Sequence, residues 1–272
     1  MPYRDVLAIL TSGQEEQVLR AAELTAGKAS GRVTALHVFE MPEVLAGFGP
    51  ETVAIWPQVL EQTRADAAAE QKRIQRQLKT LEAANEIRSL EAPRALAGAW
   101  VGQQAMHADI SIMQTPRSEL SIAAFEGALF ASGRPVILVP RSWKRDTLGE
   151  NVLIAWKPTR EAARAVADAA PFINAAKGVT VVTIDAAPNG HGQGPGRDIA
   201  AHLAREGARV EVRNVAGIGR FAETAIVDEA KAIGADLIVM GGYGHGRLTE
   251  FILGGVTRSL SRDCPIPILM SH

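Results

Sequence analysis

The residues best suited to chemistry lie in a glycine-rich segment, residues 240–258, which reads MGGYGHGRLTEFILGGVTR. It follows an apolar run of the kind that forms a buried parallel strand, and open parallel sheets bind their ligands beyond the carboxyl ends of such strands. Glycines let the main chain approach a ligand closely and leave backbone N–H groups free to face anionic oxygens. The segment therefore favours a phosphate-bearing ligand. The alternative is that the glycines only serve a tight turn between a strand and a helix.

A helix is predicted to begin near Gly254 and Gly255, at the far end of this segment, with Val256 and Leu260 facing inward. The first N–H groups of a helix have no partner within the helix, and its N-terminus carries a partial positive charge. This helix start is therefore expected to add to an anion site.

The positions of these residues depend on an internal repeat. Residues 5–39 can be laid over residues 151–185 without a gap, ADISIM at 108–113 matches ADLIVM at 235–240, and the apolar runs at the end of each half also correspond. The matches occur in the same order in both halves, which indicates a tandem duplication. We predict a first domain over residues 1–143 and a second over residues 149–272.

Each half alternates apolar runs with segments of helical periodicity. The predicted strands of the second half are residues 152–156, 179–184, 210–215, 237–240 and 266–270, and the predicted helices are 160–175, 198–206 and 221–233. A long helix is predicted over residues 58–84 of the first half. This alternation is typical of doubly wound α/β domains, here two in tandem, each with a five-stranded, mainly parallel sheet. A (βα)8 barrel is the minor alternative, because it needs four strands per half rather than five.

The composition excludes several classes of protein. The 272 residues carry a net charge of -1, which argues against bulk electrostatic binding of nucleic acid or of an anionic membrane. The single cysteine excludes a disulfide framework. No apolar stretch is long enough to span a membrane, and the N-terminal apolar run is too short for a signal peptide. We expect a cytoplasmic protein.

The spacing of Gly241, Gly244 and Gly254 resembles the motif of the universal stress protein (UspA-like) family, whose ATP-binding members carry Gly-x-x-Gly-x9-Gly followed by Ser or Thr. The flanking segments 234–240 and 264–270 and the opening segment 151–156 are similar to that family as well. The resemblance covers essentially the whole chain as a tandem pair. It implies a Rossmann-like fold, of the adenine nucleotide alpha hydrolase-like type, in each half. Members of the family often bind an adenine nucleotide between the first and fourth strands, and the resemblance implies the same site here.

The resemblance also implies roles for individual residues. The glycines that would contact ribose and phosphates through their backbones are Gly241, Gly244, Gly254 and Gly255. Val256 would begin the phosphate-facing helix, and the backbone of Ile184 would meet the adenine edge.

Two residues depart from the family pattern. Lys157 stands where ATP-binding relatives usually have Asp, and it is either a phosphate partner or a solvated surface lysine. Gly255 replaces the usual Ser or Thr, and Thr257 is the nearest hydroxyl that could stand in.

The corresponding loop of the first half, residues 114–120, has no glycine at these places, and Pro116 lacks an N–H donor. We therefore expect ATP or AMP in the second half only, with Mg²⁺ accompanying ATP, and a first half that serves as a partner domain. The implied function is a non-catalytic, nucleotide-binding stress-response regulator with a protein partner that is not identified, and the family resemblance also suggests a homodimer. The alternatives are an interaction protein with a vestigial or apolar-ligand pocket, and a weak ATPase or self-phosphorylating protein.

The remaining candidate residues favour structural roles. The glycine-rich residues 189–197 are interpreted as a crossover loop, and His245 as a solvent-facing loop residue. A surface metal site at His191 and His202 is the minor alternative to no metal site. Cys264 precedes an apolar run and is expected to be a buried thiol, and no residue is assigned a catalytic role.

Overall fold

A computed structural model describes residues 3–11, 16–27, 31–42, 50–185, 194, 196–216, 221–243 and 255–272, and for residues 50–54 the main chain only. In the first half of this described part, the elements are β1 (Asp5–Leu10), α1 (Glu16–Ala26), β2 (Arg32–Met41), α2 (Pro50–Leu78), β3 (Ala84–Pro93), α3 (Arg94–Ala105), β4 (Ile110–Gln114), α4 (Glu119–Glu126), a π-helical segment (Gly127–Ala131) and β5 (Val136–Val139). In the second half they are β6 (Asn151–Ala155), α5 (Arg160–Asp168), α6 (Ala170–Ala175), β7 (Gly178–Ile184), α7 (Arg197–Arg205), β8 (Val210–Val215), α8 (Ala222–Ala232), β9 (Leu237–Gly241), α9 (Gly255–Asp263) and β10 (Ile268–Ser271).

All ten strands form one sheet, in the order β3-β2-β1-β4-β5-β10-β9-β6-β7-β8. Each half contributes five parallel strands, and the first strand of each half lies between the second and the fourth. The two sets meet at β5 and β10, which pair antiparallel with Ile137 opposite Leu269. The sequence predicted a five-stranded sheet in each half, and the structure shows that the two sheets pair edge to edge within the chain.

Helices cover both faces of the sheet, as predicted for a doubly wound fold. Alternate residues of β1 illustrate this, because Val6, Ala8 and Leu10 belong to the apolar core on one face and Leu7 and Ile9 to the core on the other. The first face is covered by α1, α2, α5, α6 and α7, and the second by α3, α4, α8 and α9. The near-continuous apolar strands follow from this two-sided burial.

The repeated Ala-Asp dipeptide has the same structural role in both halves. The Asp109 carboxylate accepts hydrogen bonds from the backbone N–H groups of Arg4 (2.7 Å) and Asp5 (3.1 Å). The Asp236 carboxylate accepts them from Glu150 (3.1 Å) and Asn151 (2.9 Å). In each half, the residue before the fourth strand therefore fixes the start of the first strand. This correspondence supports the tandem duplication, whose exact domain limits stay a prediction.

Two helix predictions need correction. The helix expected over residues 160–175 is two helices, because α5 ends at Asp168 and α6 begins at Ala170 with Pro171 in its first turn, where a missing N–H is tolerated. The helix expected over residues 58–84 begins at Pro50, continues through Pro57 and ends at Leu78, so that residue 84 already starts β3.

Candidate functional site

The carboxyl ends of β6, β7 and β9 meet at one edge of the second half. Ala155, the last residue of β6, lies opposite Val182 of β7 on one side and Met240 of β9 on the other. The Trp156 N–H donates to the Val182 carbonyl at 2.8 Å, which extends the register past the end of β6. The predicted residues Lys157, Ile184 and Gly241 come one or two residues after these paired positions. The structure therefore places all three at the same edge of the sheet.

Gly241 ends β9 against the N-terminus of α5. A Cβ at this position would lie 2.5 Å from the Ala162 nitrogen and 2.7 Å from the Glu161 carbonyl carbon, which real Cβ atoms essentially never do. Thr159 caps the same helix by accepting from the Ala162 N–H at 3.2 Å. The missing side chain of Gly241 is therefore explained by helix packing alone, whether or not its backbone also contacts a ligand.

Gly255 differs, because it is exposed and a Cβ there would meet no atom of the described residues within 4 Å. It is the first residue of α9, whose first turn contains no acidic side chain. Val256 is half-buried, and Thr257 is only 7% exposed. The hydroxyl of Thr257 thus belongs to the buried face of α9, which makes it a poor substitute for an exposed hydroxyl at position 255.

The other predicted residues have simpler surroundings. The Lys157 side chain is exposed, and its carbonyl accepts from the Thr159 N–H at 2.7 Å in a tight turn before α5. Ile184 is half-buried at the end of β7, opposite Val215 of β8. Asp185, the next residue, has a left-handed φ of 46°.

Several predicted residues lie outside the described part of the chain. These are Gly244 and Gly254 of the glycine segment and the histidines His191 and His245. His202 is described and lies exposed on α7. Gly196, at the end of the predicted crossover loop, has a φ of 76° and leads directly into α7.

An aromatic cluster of Phe130, Tyr243 and His272, which the sequence did not suggest, packs around the first residues after β9. The Tyr243 ring packs edge-on against Phe130 of the first half, with 5.1 Å between ring centroids, and the His272 ring packs against the same Phe130 at 4.9 Å. The His272 Nδ1 lies 3.1 Å from the Gly242 carbonyl oxygen. Burial raises the pKa of the Tyr243 hydroxyl. Phe130 lies far from Tyr243 in sequence, so no local pattern could have revealed the contact.

The corresponding edge of the first half is closed by side chains. The guanidinium of Arg94 pairs with Glu40, at the end of β2, at 2.8 Å, and with Glu119, the first residue of α4. The N–H groups of Arg117, Ser118 and Ser121 all donate to serine hydroxyls of a capping box at the start of α4. A carboxylate and two serines thus occupy the helix start that would otherwise face an anion.

Cys264 is 5% exposed, and burial raises its pKa to about 11, as expected for an unreactive buried thiol. Within the described ranges, no group of three or more His, Cys, Asp or Glu side chains is arranged to hold a metal ion. No described helix is both long and apolar enough to cross a membrane.

Comparisons with known proteins support the fold and indicate the family of the second half. Residues 150–272 match the sequence profile of the universal stress protein family. A universal stress protein from Archaeoglobus fulgidus DSM 4304 has a similar structure, with a TM-score of 0.71 and 18% identity over 98% of this chain and 96% of that one. A protein of Pseudomonas aeruginosa UCBPP-PA14, described as a candidate universal stress protein, is similar with a TM-score of 0.58 and 15% identity over 99% and 93% of the two chains. No sequence among the curated proteins matches the chain.

Proposed function

Residues 150–272 belong to the universal stress protein family, and from this premise we propose that the chain is a non-catalytic stress-response regulator that binds one adenine nucleotide. The ligand is ATP or AMP, and Mg²⁺ accompanies ATP. The binding site is the edge formed by β6, β7 and β9 together with the start of α9. The family resemblance suggests six of its residues, which are Ile184, Gly241, Gly244, Gly254, Gly255 and Val256. Lys157 and Thr257, which lie where the chain departs from the family pattern, complete the proposed site.

The contrast between the two helix starts is the observation that carries the proposal. In the first half, Glu119 places a negative charge at the start of α4, and the serine capping box uses the nearby N–H donors. In the second half, the first turn of α9 has no acidic residue and begins with an exposed glycine. A helix start whose first turn carries no carboxylate favours phosphate, which supports a site in the second half only.

The charges of the second half support the same ligand. Lys157 is an exposed cation two residues beyond the end of β6, and Arg258 is exposed in the first turn of α9. We assign to Lys157 the role of a counter-charge for phosphate. An ammonium in place of the usual carboxylate would favour the anionic phosphates directly and would leave less need for a bridging Mg²⁺.

Calorimetric titration of the full chain tests this proposal. We expect one site per chain for ATP or AMP, with or without Mg²⁺, and loss of binding in Gly255→Glu. That substitution reproduces the carboxylate that Glu119 places at the start of α4, and an acidic residue in the first turn does not weaken the helix. The matched control is Ser259→Glu, which adds the same charge at an exposed position of α9 one turn later.

Two results would contradict the proposal. If the protein is purified without nucleotide and binds neither ATP nor AMP at millimolar concentration, Lys157 and Gly255 have disabled the site. If Gly255→Glu and Ser259→Glu bind equally well, the nucleotide lies elsewhere. The first result would favour the interaction protein with a vestigial or apolar-ligand pocket, in which a bulky residue at Gly244 leaves partner binding intact.

A catalytic function is the least supported alternative. ATP turnover or self-phosphorylation that disappears in a folded Gly254→Asp variant would establish it.

A homodimer is part of the proposal and follows from the family resemblance. Since β5 and β10 pair within the chain, a second copy has to use another surface, such as the outer edge of β3 or β8. A mass of about twice the 29.0 kDa of the chain, measured by light scattering, would support the dimer, and a measured mass of 29.0 kDa would refute it.

A further inference from the structure

The first half contains a cavity on the α1 and α2 face of the sheet. It lies between α1, the last turns of α2 and residues 143–146 of the segment that joins the two halves, and its volume is about 1100 Å³. Small-molecule sites usually measure about 300–1000 Å³, so the cavity has room for an organic ligand and its waters. It shares no residue with the nucleotide site proposed above.

The rim of the cavity carries excess positive charge. Five basic and three acidic side chains line it. Arg20 pairs with Glu23 at 2.8 Å and with Asp146 at 3.3 Å, which satisfies most of the acidic groups. Among the described residues, the exposed side chains of Arg76, Lys144 and Arg145 have no acidic partner. These three cations remain available for an anion.

The cavity wall contains buried polar atoms without partners. Trp143 is 4% exposed, and its indole Nε1 donates to no acceptor. The Oε1 atoms of Gln17 and Gln77 are also buried and accept no hydrogen bond. Buried polar atoms are normally bonded, because leaving one unbonded costs free energy. One donor and two acceptors in residues that line one cavity would be satisfied by an occupant that has both kinds of group, once these side chains turn toward it.

We infer that this cavity binds a small organic anion that carries hydroxyl groups, a polyol phosphate or a hydroxycarboxylate. Its anionic group lies among Arg76, Lys144 and Arg145. Its hydroxyl groups donate to Gln17 and Gln77, and an oxygen accepts from Trp143. The apolar side chains of Leu19 and Leu81, which also line the cavity, contact its carbon skeleton.

The test uses the full chain in a calorimeter with three probes: glycerol 3-phosphate, citrate and inorganic phosphate. We expect one site per chain for glycerol 3-phosphate or citrate. The probe that binds with the higher affinity shows whether the site prefers a phosphate or a carboxylate. Inorganic phosphate, which lacks the hydroxyl-bearing skeleton, binds more weakly. The Lys144→Ala/Arg145→Ala double variant should weaken binding at least about tenfold, as expected for the loss of charge-assisted contacts.

Trp143→Phe tests the hydrogen bond separately from the charge. It keeps an aromatic ring in the core and removes only the indole N–H and the second ring, so we expect several-fold weaker binding by a folded protein. Lys79→Ala is the matched control, because Lys79 is exposed at the end of α2 and does not line the cavity. Its affinity should equal that of the unmodified protein.

Three results would overturn the inference. The first is the absence of binding by all three probes at concentrations up to about 10 mM, the range of weak metabolite sites. The second is equal affinity in the double variant and in Lys79→Ala. The third is loss of probe binding in Gly255→Glu, because the probe would then occupy the second half. Failure of the nucleotide proposal alone leaves these expectations unchanged, since they concern different residues.

Discussion

Glycine has different physical roles at the two ends of the segment that joins β9 to α9. Gly241 is enclosed by the backbone of α5, whereas no described residue occupies the space where a side chain of residue 255 would be. The family motif treats both as ligand contacts, and sequence alone could not separate them, since the difference depends on where α5 packs.

We expect Gly241→Ala to lower the free energy of unfolding by about 1–3 kcal/mol, the usual cost of overpacking. Gly255→Ala should leave it unchanged or raise it by up to about 1 kcal/mol, because Ala favours helix more than Gly does. Urea denaturation of both variants measures the difference. Equal stabilities would show that α5 can move away from β9.

Restoring a hydroxyl at residue 255 should strengthen nucleotide binding. Among the described residues, no neighbour of Gly255 would be displaced by a Ser side chain. A hydrogen bond to a charged group contributes about 1.5–3 kcal/mol, so we expect roughly tenfold or greater tightening of ATP in Gly255→Ser. Gly255→Ala is the control, because it adds the Cβ without the hydroxyl. Equal affinity in the two variants would mean that no phosphate oxygen lies near residue 255.

Cys264 should make stability depend on alkaline pH. Burial raises its pKa from 9.0 to about 11. A raised folded-state pKa contributes stability that is fully present below pH 9 and is lost as the pH rises toward 11. Burial also raises the pKa of Tyr3. The Cys264→Ala variant should therefore lose less stability at alkaline pH than the unmodified protein. The loss of stability that remains is expected from Tyr3.

Urea denaturation between pH 8 and 11 measures this effect, and thiol labelling provides an independent check. The folded protein should resist a thiol reagent at about pH 8, where a buried thiol stays protonated, and react fully in urea. Rapid labelling of the folded chain would contradict the burial of Cys264.

At the scale of elements, the two aspartates before β4 and β9 form a matched pair. Both fix the first strand of their own half, but Asp236 is 2% exposed whereas Asp109 is half-buried. Removing a charged acceptor from buried N–H groups should cost about 1.5–3 kcal/mol in Asp236→Asn and less in Asp109→Asn, where water can replace the carboxylate. Denaturation of the two variants compares the halves directly. A larger loss at Asp109 would contradict the burial argument.

The elements that could be predicted from the sequence are those whose burial is visible as a pattern of apolar residues. The apolar runs that became β6, β7, β9 and β10 are covered on both faces, so hydropathy located them within a few residues. The break at Ala169 was harder to predict, because a one-residue interruption hardly disturbs helical periodicity, although Pro171 was a signal.

The candidate site was predictable only in part. The edge shared by Lys157, Ile184 and Gly241 follows from the parallel pairing of the predicted strands, whereas its role as a binding site stays a prediction. The closure of the first half by Glu40, Arg94 and Glu119 involves three segments that are distant in sequence, so no local pattern could reveal it. The same holds for the contact of Phe130 with Tyr243.

At the scale of the whole molecule, the antiparallel pairing of β5 and β10 joins the halves. Leu269 and Met270 of β10 are completely buried. An isolated second half, residues 149–272, would expose this strand as an apolar edge, and such edges pair with other chains. We therefore expect this fragment to self-associate in light scattering, and Leu269→Lys to weaken the association. A well-folded monomeric fragment would contradict this expectation.

The one continuous sheet also affects how binding depends on ligand concentration. Two identical subunits joined by symmetry must share every substitution, so they keep or lose their sites together. Here the two halves are joined covalently and have diverged, with Glu119 at one helix start and Gly255 at the other. Symmetric cooperativity needs equivalent sites. A single chain with one open helix start should therefore respond to nucleotide with a Hill coefficient of about one, as a graded sensor, and a larger coefficient would indicate coupling between the two copies of the proposed homodimer.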